Sequence, residues 1–333
     1  SGTEKTISFE TGRLAGLAGG AVLSQLGQST VLMTATGAKS ARSGADFFPL
    51  TVEFSERMYA RGKIPGGFFR REGRPGSDSI LICRLIDRPI RPIFPKGFRN
   101  EVQVVITPLS ADLENPLDIP SLVGASFALS ISDIPFSEPI SACRVGYING
   151  EYIINPSYSQ IESSELDIVV AGSKSGITML EAGATEVSEE VVLEAIKQGQ
   201  LENEKLIKFQ YDIMESIGKT KIPFESAAVD STLINKIEDL ASSKIKDIFM
   251  SVKGKQEQAT AINELEAELE KQFEETDPDI EIKEEFEHVK DMAFREMVLT
   301  EKIRPDGRGL NDIRPLDSSV GFLPRTHGSS IFE

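Results

Sequence analysis

The spacing of apolar residues changes character along the chain. Up to about residue 180, apolar and β-branched residues come in short runs broken by Gly, Ser and Asn: TISFETG, AVLSQLGQSTVLMTATG, FPLTVEFSE and EVQVVITPLS. This spacing predicts strands. In RVGYINGEYIINPS, Asn149-Gly150 sits between two apolar runs, and the dipeptide's preference for left-handed backbone predicts a tight hairpin. LDIVVAGSKSGITMLEAG predicts a second hairpin. Two stretches carry helical spacing instead. In SDSILICRLIDR, residues 77–88, Ile80, Leu81, Cys83, Leu85 and Ile86 suit one helix, with Ser77 as a cap and Pro89 ending it. PSLVGASFALSISD reads as a buried helix whose first turn accepts Pro120. Together these elements predict a mixed α/β domain over residues 1–183.

At Ser188 the period becomes helical and stays so. Val191, Val192, Ala195, Ile196, Leu206 and Ile207 recur on one helix, with Ser188 at its start beside Glu189 and Glu190. Further helices are expected over 231–250, 256–274 and 283–301, separated by breaks at KTKIPFES, VKGK and TDPDI. Residues 184–300 therefore read as an all-helical domain. Strand and turn signals return over 301–333, as if a third unit begins. Sliding this tail along the start of the chain sets Gly328 on Gly20, Ile331 on Leu23 and Phe322 on Leu14, a faint internal repeat.

Charge sharpens this division. The net charge is -16, but residues 181–300 hold 29 acids and 14 bases, leaving the remainder close to neutral. Within that remainder, residues 61–99 carry ten bases against only Glu72, Asp78 and Asp87. A local cationic excess of this kind is how a polyanion footprint appears in sequence. Cys83 and Cys143 stand alone, without CxxC spacing, and read as reduced residues of a cytoplasmic protein. No apolar run is long enough to span a membrane, and SGTEKTISFETG lacks the pattern of a secretory signal.

The centre of the basic region is GGFFRREGRPG, residues 66–76. Glycine and proline exclude a buried helix or a central strand. Either Phe68 and Phe69 are tucked into the core, or they form a platform on which bases stack irrespective of base identity. Arg70, Arg71 and Arg74 beside them suit phosphate contacts. That combination fits single-stranded nucleic acid better than a double-stranded RNA, whose base faces are hidden. Arg84, Arg88 and Arg91 recur at spacings of four and three and extend the basic face, although Asp87 offers a structural ion pair instead.

GGFFRREGRPG, RLIDRPIRPIFPKGF, GASFALSISDIPF and RVGYING, followed by IRPDGRGLNDIRPL and LPRTHGSSIF, together closely resemble bacterial-type polynucleotide phosphorylases. The resemblance implies an RNase PH-like core over 1–183, a helical domain over 184–300 and the opening of a second RNase PH-like core over 301–333. It also implies a ring-shaped homotrimer that degrades single-stranded RNA from the 3′ end, with inorganic phosphate as co-substrate and Mg2+ as cofactor, releasing nucleoside diphosphates. Partners in RNA-degrading complexes belong to the same expectation. In that family the FFRR loop guides RNA at the ring's constriction, which maps onto Phe68, Phe69, Arg70 and Arg71. Arg74, Arg84, Arg88 and Arg91 match positions tied to RNA handling.

The family's chemistry resides in its second core, in a serine-rich loop, two aspartates and a lysine. At the corresponding places this first core has Ser121 alone, then Ile161, Asp167 and Val169. Only Asp167 keeps the expected type. The resemblance therefore implies no catalytic or metal residue in this segment, which is expected to guide RNA and build the ring without phosphorolysis of its own. Two alternatives remain open from the residues: a catalytically inactive RNase PH-fold subunit of an RNA-binding ring, and an adaptor that uses the acidic helices to bind a basic protein.

Overall fold

The computed structural model describes residues 5–42, 47–224, 231–252, 254–275, 280 and 282–333. It divides into two compact units between residues 226 and 227. In the first, the expected short runs become β1 (Ile7–Thr11), β2 (Gly20–Leu26), β3 (Ser29–Gly37), β4 (Leu50–Phe54), and, after helix α1 (Ser77–Ile90), β5 (Val102–Ser110). These strands form a mixed sheet in the order β1-β2-β3-β5-β4, in which only β4 and β5 are parallel. Helix α2 (Asp118–Ile131) leads to β6 (Ile140–Ile148), β7 (Glu151–Ile154), the short α3 (Tyr158–Glu162), β8 (Leu166–Ser173), β9 (Gly176–Ala184) and the long α4 (Glu189–Ile217). The second sheet is antiparallel throughout, β7-β6-β8-β9. Asn149 and Gly150 take φ values of 51° and 85° in the β6–β7 turn, the left-handed pair that the sequence predicts.

Helix α2 touches β2, β3 and β6, and all 14 of its residues are buried. Its small residues allow this close approach. A Cβ at Gly20 of β2 would lie 2.0 Å from the carbonyl oxygen of Ala128, and one at Gly124 would lie 1.8 Å from Met33 Cε. A helix without solvent must satisfy its ends internally. At the C-terminal end, Lys221 Nζ donates to the carbonyls of Leu129, Ser130 and Ser132 at 2.8–2.9 Å, and the Lys219 N–H donates to the Ile131 carbonyl at 3.0 Å. The segment after α4 thus closes over the helix end.

Helix α4 behaves differently from the acidic helices with which its sequence groups it. Its buried stripe, Ala195, Gly199, Asn203, Ile207 and Gln210, packs against β6 and β8 of the first unit. Asn203 donates to the Val170 carbonyl (2.9 Å), and Gln210 donates to the Ile140 carbonyl (2.8 Å). These amides explain why the stripe escapes an apolar-only reading: two of its five buried positions are polar.

The second unit holds α5 (Ser231–Ser251), α6 (Lys255–Glu274) and α7 (Lys283–Glu301), close to the expected bounds. Leu233, Ile237, Ala241 and Ile245 of α5 share a core with Leu265, Leu269, Phe286, Val289 and Ala293. The KTKIPFES, VKGK and TDPDI breaks fall partly outside the described residues. The strand signals of the tail become β10 (Ser318–Val320) and β11 (Ser330–Phe332), an antiparallel pair. The faint repeat sets Ile331 of β11 on Leu23 of β2, and each lies in the second strand of an antiparallel pair. Among the described residues no helix is long and apolar enough to cross a membrane.

The close β2–α2 contact gives a direct test. Gly20→Ala drives a methyl into the backbone of α2, and we expect a loss of about 1–3 kcal/mol in urea unfolding, the usual cost of overpacking a core. An unchanged midpoint would show that the helix can move away from the strand.

Candidate nucleic-acid interface

The basic loop grows from the end of β4. Ser55 N–H donates to the Ile106 carbonyl (3.1 Å), and a 3-10 turn over Met58–Arg61 is held to the end of β5 by the Ala111 N–H donating to the Ala60 carbonyl (2.9 Å). Gly62, at φ 66°, ends the turn and releases the chain outward. The Arg70 N–H then donates to the Gly67 carbonyl at 2.9 Å, closing a β-turn with Phe68 and Phe69 as its two central residues. Phe68 is 96% exposed and Phe69 81% exposed. Their rings meet edge to face, 5.3 Å apart, so each steadies the other while both remain outside the core. Of the two readings open from sequence, the structure adopts the exposed one. Arg70 takes φ 47°, a left-handed backbone that costs a side-chain-bearing residue on the order of 1 kcal/mol.

The arginines divide into two groups. Arg70, Arg71, Arg74 and Arg84 are exposed, and among the described residues none of them is in an ion pair. Arg88 approaches Glu181 at only 3.8 Å. Arg91 is fully committed. Its guanidinium donates to both Asp87 oxygens (3.0 and 2.7 Å) and to the carbonyls of Phe48 (3.1 Å) and Leu50 (3.2 Å). The structural ion pair that Asp87 offered is therefore made, while the Arg91 side chain stays partly exposed. Pro89 does not end α1, which runs to Ile90 and passes into a 3-10 turn over Arg91–Ile93. The proline forfeits one hydrogen bond, and burial of Pro89, Ile90 and Ile93 holds the turn in place. Gly76 takes the N-cap position and Ser77 begins the helix.

An open cleft of about 330 Å³ lies beside α1, lined by Asp78, Leu81, Ile82 and Leu85 of that helix and by Asp118, Arg144, Asp167, Val169 and Glu181. Strand register builds its floor. Arg144 of β6 stands opposite Val169 of β8, which stands opposite Glu181 of β9, with Asp167 two residues along on the same face. Arg144 Nη1 donates to both Asp167 oxygens at 2.5 Å, and Nη2 donates to Asp118 Oδ2 at the start of α2. Burial opposes the Arg144 charge, but the two carboxylates outweigh it and hold the guanidinium above its ordinary pKa. Ser121 is buried and donates to the Leu117 carbonyl at 2.5 Å. Ile161 lies on α3. Sequence reasoning reached Asp167 but missed Arg144 and Asp118. The available signal was a lone arginine within the apolar strand ISACRVGYI, flanked by the buried Cys143 and Val145.

Family models for the 3′ exoribonuclease family match the chain twice, domain 1 over residues 3–135 and domain 2 over residues 138–201. The chain belongs to the 3′ exoribonuclease family. A third model, the RNA binding domain of polyribonucleotide nucleotidyltransferase, matches residues 232–309. Polyribonucleotide nucleotidyltransferases of Staphylococcus aureus strains JH9 and Newman are each 47% identical to it over 98% of this chain and 48% of their own length. The chain thus spans about half the length of these curated relatives, and the polynucleotide phosphorylase resemblance holds across nearly all of it. Among solved structures, rice (Oryza sativa) Rrp46 matches with a TM-score of 0.53 at 15% identity, covering 64% of this chain and 95% of that one. A chain of the Archaeoglobus fulgidus exosome with RNA bound to the active site matches with a TM-score of 0.51 at 16% identity, covering 62% and 89%. These two likenesses show the RNase PH-like fold.

For a 3′ exoribonuclease core, the Arg144 cluster has a chemical consequence. A divalent cation needs free carboxylate oxygens, and here Asp118 and Asp167 both accept from one buried guanidinium. Among the described residues there is no group of three or more His, Cys, Asp or Glu side chains suited to a metal. Asp118 and Asp167, engaged in this way, do not fit a Mg2+ site in this cleft, and the resemblance itself implies the ion for the second core rather than for this one. The cluster instead fastens α2 to the second sheet. Arg144→Ala leaves two carboxylates without their cation and should cost about 3–5 kcal/mol in chemical denaturation. A loss below about 1 kcal/mol would show that water replaces the guanidinium freely.

Proposed function

We propose that residues 62–91 form an RNA guide and that the longer protein is a phosphorolytic 3′→5′ exoribonuclease of single-stranded RNA. The observation that carries this reading is the pair of exposed phenylalanine rings at a turn tip, flanked by Arg70, Arg71 and Arg74, which have no ion-pair partner among the described residues. Each ring offers a face to any base, and the arginines offer donors to the phosphates on either side. Arg84 and Arg88 continue this surface along α1, whereas Arg91 serves as a brace beneath it.

In the proposed reaction an oxygen of inorganic phosphate attacks the terminal internucleotide phosphorus, the 3′-oxygen of the shortened chain leaves, and a nucleoside diphosphate is released. The pocket for that step, with Mg2+ as its cofactor, is assigned to a second RNase PH-like core of which residues 301–333 form the beginning. The first core would cover 1–183 and the helical domain 184–300. The Arg144-filled cleft supports this division, because Arg144 engages both Asp118 and Asp167, the one acid that keeps the type the family's site needs. A homotrimeric ring in the cytoplasm, open to partners in RNA degradation, completes the proposal.

Binding of a fluorescent single-stranded oligoadenylate, followed by anisotropy at several salt concentrations, tests the guide. Phe68→Ala with Phe69→Ala should weaken binding about tenfold or more, since stacking contributes roughly 1–3 kcal/mol per base. The salt slope should stay unchanged. Arg70→Ala with Arg71→Ala should instead lower that slope by about 1.4, near 0.7 for each single-strand phosphate contact. Equal affinities for wild type and the double phenylalanine variant would remove the guide.

The same chain, incubated with single-stranded RNA, phosphate and magnesium, should release no nucleoside diphosphate above a protein-free control. Sustained release would locate a reacting centre within these residues and overturn the division of labour.

A further inference from the structure

The loop that carries the two rings has very little to hold it. Cβ atoms placed at Gly66, Gly67 and Gly73 would meet nothing within 4 Å, so the backbone around the turn runs through open space. Among the described residues, the hydrogen bonds that tie residues 64–75 to the rest of the chain are both made by Glu72. Its Oε2 accepts from Arg57 Nη1 at 2.9 Å, and its Oε1 accepts from the Met58 N–H at 2.5 Å. Met58 begins the 3-10 turn that β5 holds in place. Arg61 of the same turn pairs with Glu56, with Nη2 donating to Oε2 at 2.8 Å. A continuous path therefore runs from the first sheet through the turn to Glu72, four residues from Phe68.

We propose that Glu72 is a positioning residue for RNA, closing the segment 57–72 so that Phe68 and Phe69 are held at its tip. This rests on the guide-loop reading given above. An exposed ion pair alone contributes little. Here the carboxylate also takes a backbone donor, and the two ligands come from adjacent residues, which fixes the carboxylate's orientation as well as its position. The Met58 N–H and Arg57 together hold the Glu72 carboxyl below its usual pKa. The glycines on either side leave the backbone many alternatives, so one two-point tie removes most of them.

The sign of the effect on binding separates positioning from charge. Glu72 is the one acid among the loop's arginines, so on electrostatics alone its removal tightens the hold on a polyanion. Loss of a tie does the opposite. In the oligoadenylate assay with the full chain, Glu72→Ala should bind about fivefold more weakly than wild type. Glu72→Gln, which keeps an acceptor for the Met58 N–H, should fall between them. The salt slope should not change, because Glu72 contacts no phosphate. Hydrogen exchange followed by mass spectrometry should show faster exchange in peptides containing Met58 and Arg70, with the melting temperature unaltered. Tighter or equal binding by Glu72→Ala, with Phe68→Ala and Phe69→Ala still weakening it, would overturn the positioning role and leave the guide intact. If the phenylalanine variants bind like wild type, the guide fails and this inference falls with it. Unchanged exchange at Met58 and Arg70 would overturn the tie itself.

Discussion

The first unit is organised by one constraint: a helix buried along its whole length cannot leave its ends to water. Helix α2 lies within the core, so its terminal groups require partners from elsewhere in the chain. At its start, Asp118 is held by Arg144 from β6, and the same guanidinium reaches Asp167 on β8. At its far end, Lys221 gathers the last carbonyls from a segment about ninety residues further along. Hydroxyls inside the helix follow the same rule. Ser126 donates to Gln210 of α4 and accepts from the Ile140 N–H, so α2, α4 and β6 share one buried polar chain. Sheets, helix and closing segment are thus fixed mutually, and that rigidity is what lets β4 and the 3-10 turn present a loop in a defined place.

The cleft beside α1 shows what this constraint does to chemistry. A site that holds phosphate near a metal needs acids free to ligate and a cation free to meet the anion. Here Asp118, Asp167 and the Arg144 cation neutralise one another as part of the helix anchor. A catalytic use of Asp167 would compete with its structural one, because Nη1 of Arg144 already spans both of its oxygens.

Much of this fold was legible from periodicity and turn chemistry. Asn149-Gly150 announced its hairpin, and the three helices of the second unit fell close to their expected bounds, because those signals are local. What escaped was non-local. The β4 strand pairs parallel with β5 across the intervening α1, a neighbour relation that no run of residues encodes. Helix α4 carries Asn203 and Gln210 inward, so its buried face does not read as apolar. Arg144 and Asp118 meet from 26 residues apart. In the basic loop, composition excluded a buried helix or central strand but left the two rings either in the core or exposed, and only geometry shows both exposed at the centre of one turn. For Arg91 both an open cation and an ion pair with Asp87 were legible, and the structure makes the pair.

The distribution of charge in three dimensions carries the last step. Residues 232–309, which match the model of an RNA binding domain, contain 20 acids and 12 bases. A long-range field from that segment repels a polyanion, so RNA contact there would depend on groups brought close enough to act singly. Residues 61–99 have the opposite balance in sequence, yet the fold uses part of it internally: Arg61 is taken by Glu56, and Arg91 by Asp87. Among the described residues, the exposed cations outside any ion pair include Arg70, Arg71 and Arg74 of the aromatic loop itself and Arg84 on α1. At physiological salt their influence decays over about 8 Å. Their attraction for an anion is therefore short-ranged, and under the proposed guide role stacking and phosphate pairing would act on the same nucleotides. A chain that is strongly acidic as a whole can in this way keep a short-range cationic edge, and the proposed guide role requires that the loop bearing it be held still.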